Sequence, residues 1–427
     1  MNRIGMRRFL LSLAAAALLV SAAAPAFAQP AEPFLRDLPP GISIRRTTVA
    51  DPAQRAAIGR NLGGGIERLT NTDLEVQGRA IRVNAITGAD DASAEAIAAS
   101  IAKMKPPPFY LRTSRTVIEY VGDGIDAALA RKTSFELGFV PKPDRARYRI
   151  VAEIATIDSG DAMAMNPLFN AFLALGPNPD PANAARVAEL AGRLRFGRSL
   201  VLRDPRFGGR PGALRLEPAP VGEEKAGGPA VRYEFEGLPA RHGVPFVTVT
   251  LEVPVEGTGF VADADAPAAS CLAATPSFPA DDPKFVALAR EITAKATTAD
   301  EKVAAILAWL SPGRNVKYAG ETGSRWGAAK VLEQRFGHCF DFADVFVTLC
   351  RASSVPCREV AGWLYGTSGH VWAEYHRAGA GWQQVDPTGG GVLPCGLYHV
   401  PYFTTETGEM PVVYLSMPKI EMLGAGE

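Results

Sequence analysis

The stretch Phe336-Gly337-His338-Cys339-Phe340-Asp341-Phe342-Ala343-Asp344 decides how this chain is read. A glycine closes one expected helix (326–336), and a cysteine directly afterwards opens the next (339–352), which Pro356 ends. That places the Cys339 sulfur at a helix N-terminus, where unpaired backbone N–H groups and the positive end of the dipole favour a negative sulfur. The same N–H groups could hold the oxyanion of a tetrahedral intermediate. A buried structural cysteine, or half of a disulfide, is the competing reading of this stretch alone.

A nucleophilic sulfur needs a base, and the surrounding region offers His338, His370, His376 and His399. His338 is the neighbour of Cys339 in sequence, so its ring is poorly placed to face that sulfur. From His370 onward the side chains alternate, and His370, Trp372, Glu374 and His376 share one face of an expected strand. The two ends of that run are roughly 20 Å apart, so His370 and His376 cannot serve one site. The turn Ala378-Gly379-Ala380-Gly381 folds the strand back onto Trp382-Gln383-Gln384-Val385-Asp386. Pairing about this turn brings Asp386 within about three positions of His370, and leaves His376 near the turn with no carboxylate opposite. Cys339, His370 and Asp386 are therefore expected as nucleophile, base and orienting carboxylate.

Around these residues the pattern is that of an α+β domain. Residues 285–295 have helical apolar spacing, and Thr298 with Glu301 forms a capping box before Val303, Ile306, Leu307 and Leu310. Strands are expected over 357–365, 370–376 and 382–386. The Ala, Asp and Pro-rich stretch 261–281 reads as a linker or an extended wrap. Upstream, residues 29–260 form a mixed, strand-rich α/β region of unknown role. Helices are expected there at 91–104 and 182–194, and strands at 117–121, 148–157, 231–235 and 245–255. Its one histidine, His242, lies in a turn-like stretch without the convergent donors a metal needs.

The segments Gly337-x-Cys339, Leu349-Cys350-Arg351-Ala352-x-x-Val355-Pro356-x-Arg358, His370-x-Trp372-x-Glu374 and Trp382-x-x-Val385-Asp386-Pro387-Thr388 together resemble the core of the transglutaminase-like superfamily. The resemblance covers about residues 282–390 and implies a papain-like fold for a domain spanning 282–427. It implies a catalytic triad of Cys339, His370 and Asp386. The sequence departs from the family's frequent Gly-Ile-Pro-Ala-Arg run with Ser354-Val355-Pro356-Cys357-Arg358, which adds a thiol. Besides the Cys339 backbone, Trp326 and Tyr318 are candidates for the family's aromatic oxyanion donor, and either could simply be core. The implied chemistry is acyl transfer through a thioester, with hydrolysis of a peptide or amide bond as the expected outcome. The alternatives are glutamine-amine crosslinking by the same triad, or a non-catalytic envelope scaffold that keeps the shell. The expected substrates are peptides, proteins or peptidoglycan stems.

The chain has 427 residues, with 45 Lys plus Arg against 45 Asp plus Glu. Such balance argues against a nucleic-acid partner, which needs a basic surface. Residues 1–28 carry Arg3, Arg7 and Arg8, then an apolar run, then Ala26-Phe27-Ala28, the pattern of a secretory signal cleaved before Gln29. Its apolar run is shorter than the roughly 20 residues a bilayer span requires. A periplasmic or secreted protein with no transmembrane segment after cleavage is expected. With Cys339 as the reactive thiol, Cys271, Cys350, Cys357 and Cys395 remain, as two disulfides or as packed thiols. A zinc site from Cys350, Cys357 and a histidine lacks paired C-x-x-C spacing, so no metal or cofactor is expected.

Overall fold

The computed structural model describes residues 38, 42–76, 78–122, 125–160, 162–175, 180–205, 212–256, 267, 269–311, 313–320, 325–367, 369–388, 395–410 and 412–425. The expected signal segment, 1–28, lies outside them. Among the described residues no helix is long and apolar enough to cross a membrane.

The chain begins with β1 (Ile42–Val49), α1 (Pro52–Leu62), β2 (Ile66–Val76), β3 (Arg79–Gly88), α2 (Asp91–Ala102), β4 (Tyr110–Thr113) and β5 (Thr116–Val121). The strands form one antiparallel sheet in the order β1-β2-β3-β5-β4. Alternation along them feeds two cores. Leu69, Ile86 and Val117 meet Leu62, Ile97 and Ile101 of α1 and α2. Leu74, Val83, Ile118 and Tyr120 meet Leu129 and Ala130 of α3 (Ala127–Glu136) on the opposite face. Each helix starts at an aspartate, Asp51, Asp90 or Asp126, whose carboxylate accepts an N–H of the first turn.

Next come β6 (Arg145–Ala155), β7 (Ile157–Gly160), α4 (Ala162–Leu175), α5 (Pro181–Ala191), β8 (Leu194–Phe196), β9 (Ser199–Arg203), β10 (Ala213–Glu217), β11 (Gly222–Gly227), β12 (Ala230–Glu234), β13 (Ala240–Arg241) and β14 (Val244–Glu256). The helix expected over 182–194 stops at Ala191, because Leu194 turns into β8 and pairs with β7. The long β14 pairs with β6 and β10, and β12 is flanked by β11 and β9.

From Ala269 the Ala, Asp and Pro-rich stretch lies on the body of the protein. Cys271 and Phe278 are fully buried, and Thr275 Oγ1 donates to the Thr407 carbonyl. Then follow α6 (Pro283–Ile292), α7 (Ala299–Leu310), β15 (Lys317–Tyr318), α8 (Ala328–Gln334), β16 (Phe336–Gly337), α9 (Cys339–Ala352), β17 (Cys357–Leu364), β18 (Gly369–Arg377), β19 (Gly381–Val385), β20 (His399–Thr405) and β21 (Lys419–Ala425). The capping box of Thr298 and Glu301 opens α7. The helix expected over 326–336 is shorter at both ends. Gly327, at φ 81°, precedes it, and Arg335, at φ 61°, ends it in the left-handed region. Gly337 is consequently a strand residue of β16, which pairs in parallel with β15.

Helices followed by an antiparallel sheet, β19-β18-β17-β20, make this an α+β structure, as expected. At its centre α9 is buried from Asp341 to Arg351, packed by Phe285, Ile306, Leu310 and Val331 of α6, α7 and α8. A second and larger core is shared with the preceding region. Trp363, Val371, Tyr402 and Phe403 join Tyr148, Ile150, Val249 and Leu251 of β6 and β14, and the final strand β21 pairs with β6.

Candidate active site

The N-terminus of α9 is shaped by one carboxylate. Asp341 Oδ2 accepts from His338 N–H at 3.0 Å, and Oδ1 accepts from Trp326 N–H at 2.7 Å. Burial pushes Asp341 up, while these backbone donors hold it down. The carboxylate folds back over Gly337, where an added Cβ would stand 2.5 Å from Asp341 Cβ. The glycine of Gly337-x-Cys339 is thus required by close approach rather than by its dihedrals. His338 places Nε2 2.8 Å from the Gly320 carbonyl oxygen and its ring 4.8 Å from that of Tyr318.

Pairing of β15 with β16 sets Tyr318 opposite Gly337, next to the thiol. Its ring lies 4.8 Å from that of His338 and 5.7 Å from that of Phe342, and desolvation of the hydroxyl, with Cys339 and Asp386 in its field, raises its proton affinity. Of the two aromatic candidates, Tyr318 is the one that has Cys339 in its field. Trp326 offers its backbone N–H to Asp341, and the two residues are equally exposed, Tyr318 at 46% and Trp326 at 45%.

The hairpin β18–β19 pairs Ala373 with Val385 and Glu374 with Gln384. Continuing that register sets Asp386 opposite Trp372, diagonal to His370 on the same face, and His370 Nε2 lies 2.8 Å from Asp386 Oδ2. With Nε2 turned to Asp386, Nδ1 is the nitrogen left to face Cys339, whose thiol acts on the imidazole. Asp386 Oδ1 accepts from the Thr388 backbone N–H at 2.9 Å and from its hydroxyl at 2.6 Å. Burial opposes charge on His370, but the Asp386 carboxylate outweighs it and raises the imidazole to about 10. Asp386 is held well below the usual carboxylate range by the imidazoles it faces, against the push of burial. Such a chain of thiol, imidazole and carboxylate can move a proton between sulfur and a departing group. His376 lies across from Trp382, ring to ring at 5.4 Å, away from this chain.

Three sets of contacts around the site escaped sequence reading, the first made by a histidine that the sequence offered only as one of four candidate bases. His399, at the start of β20, brings its Nε2 to 3.2 Å from the same Asp386 Oδ2. Beneath α9, Arg325 pairs with Asp344 Oδ2 at 2.8 Å and with Glu359 Oε2 at 3.1 Å. Both carboxylates are fully buried, and burial pushes both up, Glu359 furthest, as one guanidinium serves two acids. Behind the sheet, Glu374 accepts from Arg203 at 2.8 Å, Arg358 at 2.7 Å and Gln384 at 2.9 Å. Gln384 in turn takes the Trp372 indole N–H at 2.9 Å, fixing the residue between His370 and Glu374. Glu374 was visible as part of a motif, whereas Arg203 lies 171 residues upstream without a local signal.

His370, Asp386 and His399 are the set among the described residues whose donor atoms converge as a metal site would require. Tetrahedral zinc with bonds of about 2.0–2.1 Å spaces its ligand atoms roughly 3.3 Å apart. The 2.8 Å separation of His370 and Asp386 is instead that of a direct hydrogen bond. All five cysteines are free thiols. Cys271, Cys350, Cys357 and Cys395 are buried, with Cys350 and Cys357 packed in one core, and Cys339 alone is partly exposed.

Residues 286–387 match the family model of the transglutaminase-like superfamily. No curated protein matches the chain. Among solved structures, a candidate cysteine protease from Cytophaga hutchinsonii is 18% identical over 67% of this chain and 93% of its own, with a TM-score of 0.39. The periplasmic domain of TgpA from Pseudomonas aeruginosa is 14% identical over 58% of this chain and 88% of its own, with a TM-score of 0.30. Red sea bream transglutaminase is 13% identical over 47% of this chain and 50% of its own, with a TM-score of 0.23.

Proposed function

Because residues 286–387 form a transglutaminase-like core, we propose that the protein is an exported cysteine enzyme that hydrolyses a peptide or amide bond through a thioester. The observation that carries this reading is the 2.8 Å hydrogen bond between His370 and Asp386, with Cys339 at the start of α9 acting on the same imidazole. In the first half-reaction the Cys339 thiolate attacks the carbonyl carbon. The oxygen takes up the negative charge beside the Cys339 backbone N–H, with Tyr318 as second donor. Imidazolium His370 gives its proton to the amine, the C–N bond breaks, and the thioester remains. In the second half-reaction His370 takes a proton from water, the hydroxide attacks the thioester, and the C–S bond breaks to return the thiolate and release the acid. Asp386 keeps the imidazole oriented and stabilises its charged form throughout.

The signal pattern of residues 1–28 supports export to the periplasm or beyond, where peptides, envelope proteins and peptidoglycan stems are the accessible amides. Mass spectrometry of peptide mixtures, and of glutamine peptides with an added amine, compares wild type with Cys339→Ala. Cleavage with uptake of water by wild type and none by the variant is expected. Amine-linked products would replace hydrolysis with crosslinking, and equal turnover by both proteins would refute the triad.

A further inference from the structure

Asp386 Oδ2 serves two imidazoles, and a Cys-His-Asp relay requires one. His370 Nε2 stands 2.8 Å away and His399 Nε2 3.2 Å away. The orientation of His399 is settled by its other nitrogen, because the Gly396 backbone N–H points at Nδ1 at 3.2 Å. Nδ1 is thus an acceptor, the single proton of the neutral ring sits on Nε2, and that N–H donates to Asp386. The ring is locked edge-on against Trp372, at 5.3 Å and 83°, while Trp372 stacks on His370 at 6.2 Å and 24°. Burial disfavours charge on His399, so it remains a neutral donor.

We propose that His399 is a positioning residue: its Nε2–H shares Asp386 Oδ2 with His370 and so moderates the carboxylate's hold on the proton of that imidazole. The proposal rests on the triad reading above. A lone carboxylate against a buried imidazole would trap the imidazolium and make it a poor acid toward the departing amine. A second donor on the same oxygen draws off part of that charge without adding a positive one. The groups facing this pair are few. Cys339 meets His370, and the buried Cys395 thiol lies within the field of Asp386. From α3, Lys132 acts on His399, with its ammonium 4.7 Å from the centre of the Tyr398 ring and in the field of Glu136. Tyr318 senses Asp386 from the substrate side.

The test is an NMR titration of the His370 ring, assigned with His370→Gln, in wild type, His399→Asn and His399→Gln. Asparagine can still accept the Gly396 N–H but cannot reach Asp386, whereas glutamine can place an N–H near the position of Nε2. His399→Asn should raise the His370 midpoint by about half a unit to one unit, a three- to ten-fold gain in proton affinity. His399→Gln should restore it to within about 0.2 unit. Equal midpoints in the two variants, or a fall in His399→Asn, would overturn the proposal by leaving His399 a packing role. If His399→Asn does not fold, ¹⁵N shifts of the wild-type ring decide. A neutral Nε2–H tautomer between pH 5 and 9 is expected, and an Nδ1–H tautomer or a charged ring overturns it. None of these readouts depends on turnover, so a wild type without hydrolytic activity would refute the proposed function and leave this result standing.

Discussion

Replacing Glu374 with glutamine tests whether the region before α6 is bolted by charge to the sheet that carries His370. Glu374 is fully buried, and the two guanidinium groups it neutralises come from different parts of the chain, Arg203 on β9 and Arg358 on β17. Burial alone would push its carboxyl up, but Arg203, Arg358 and Gln384 pull it down to about 2. Against an ordinary glutamate, that depression corresponds to about 3 kcal/mol of folding free energy at pH 7. Removing one partner of a buried ion pair costs about 3–5 kcal/mol by a separate route, since here two buried guanidinium groups would lose the carboxylate they share. Urea unfolding at pH 7 should therefore show Glu374→Gln destabilised by about 3 kcal/mol or more. A lowered carboxyl contributes its stability above the pKa of the unfolded chain and loses it as the pH falls toward the folded value. The gap between wild type and variant should accordingly shrink by more than half between pH 7 and about pH 3. A loss below about 1 kcal/mol at pH 7, or one that does not change toward acid, would show that the Arg203 contact is incidental to docking.

Iodoacetamide applied to the folded protein should modify Cys339 and spare the four buried thiols until denaturant is added, as read by peptide mapping. Tyr318→Phe should lower kcat on the order of 10²-fold with little change in KM. Trp326→Phe should stay near wild type, because the residue contributes only its backbone N–H to Asp341. Gly337→Ala forces a Cβ to within 2.5 Å of Asp341 Cβ. It should cost about 1–3 kcal/mol in denaturant unfolding and slow Cys339 alkylation by displacing the start of α9. Asp386→Asn should reduce kcat by about 10⁴-fold. It should also destabilise the protein at neutral pH. That penalty should fade as the pH rises through about 10, where His370 gives up its proton in the folded wild type, and should also fade in strong acid, where Asp386 protonates.

What could be read from the sequence is what short-range geometry dictates. The start of α9 at Cys339 was legible from Gly337, although the preceding helix already ends at Arg335, and the meeting of His370 with Asp386 follows from alternation about a glycine turn only a few residues long. The contacts that escaped share a different property: their partners are brought together by strand order, which alternation does not encode. His399 reaches Asp386 only because β20 pairs with the far edge of β17, a neighbour that no residue of β20 announces. Arg203 reaches Glu374 because the sheet of β9, β11 and β12 is laid against β20, and β21 closes on β6 from the other end of the chain. Even Tyr318, singled out as an aromatic, owes its place beside Cys339 to a two-residue parallel pairing too short to have a pattern. Cys339, His370 and Asp386 are thus specified locally, whereas the groups that tune them come from the assembly of sheets. Substitutions in the region before α6 should therefore register in the titration of His370 and in stability, even where they lie far from the thiol in sequence. Arg203→Met, which leaves Cys339, His370 and Asp386 intact, should lower the midpoint of urea unfolding without moving the site of alkylation. A second alkylated cysteine in that variant would show that this region also seals the thiol core, which the packing of Cys271, Cys350 and Cys357 beneath α9 and β17 otherwise accomplishes.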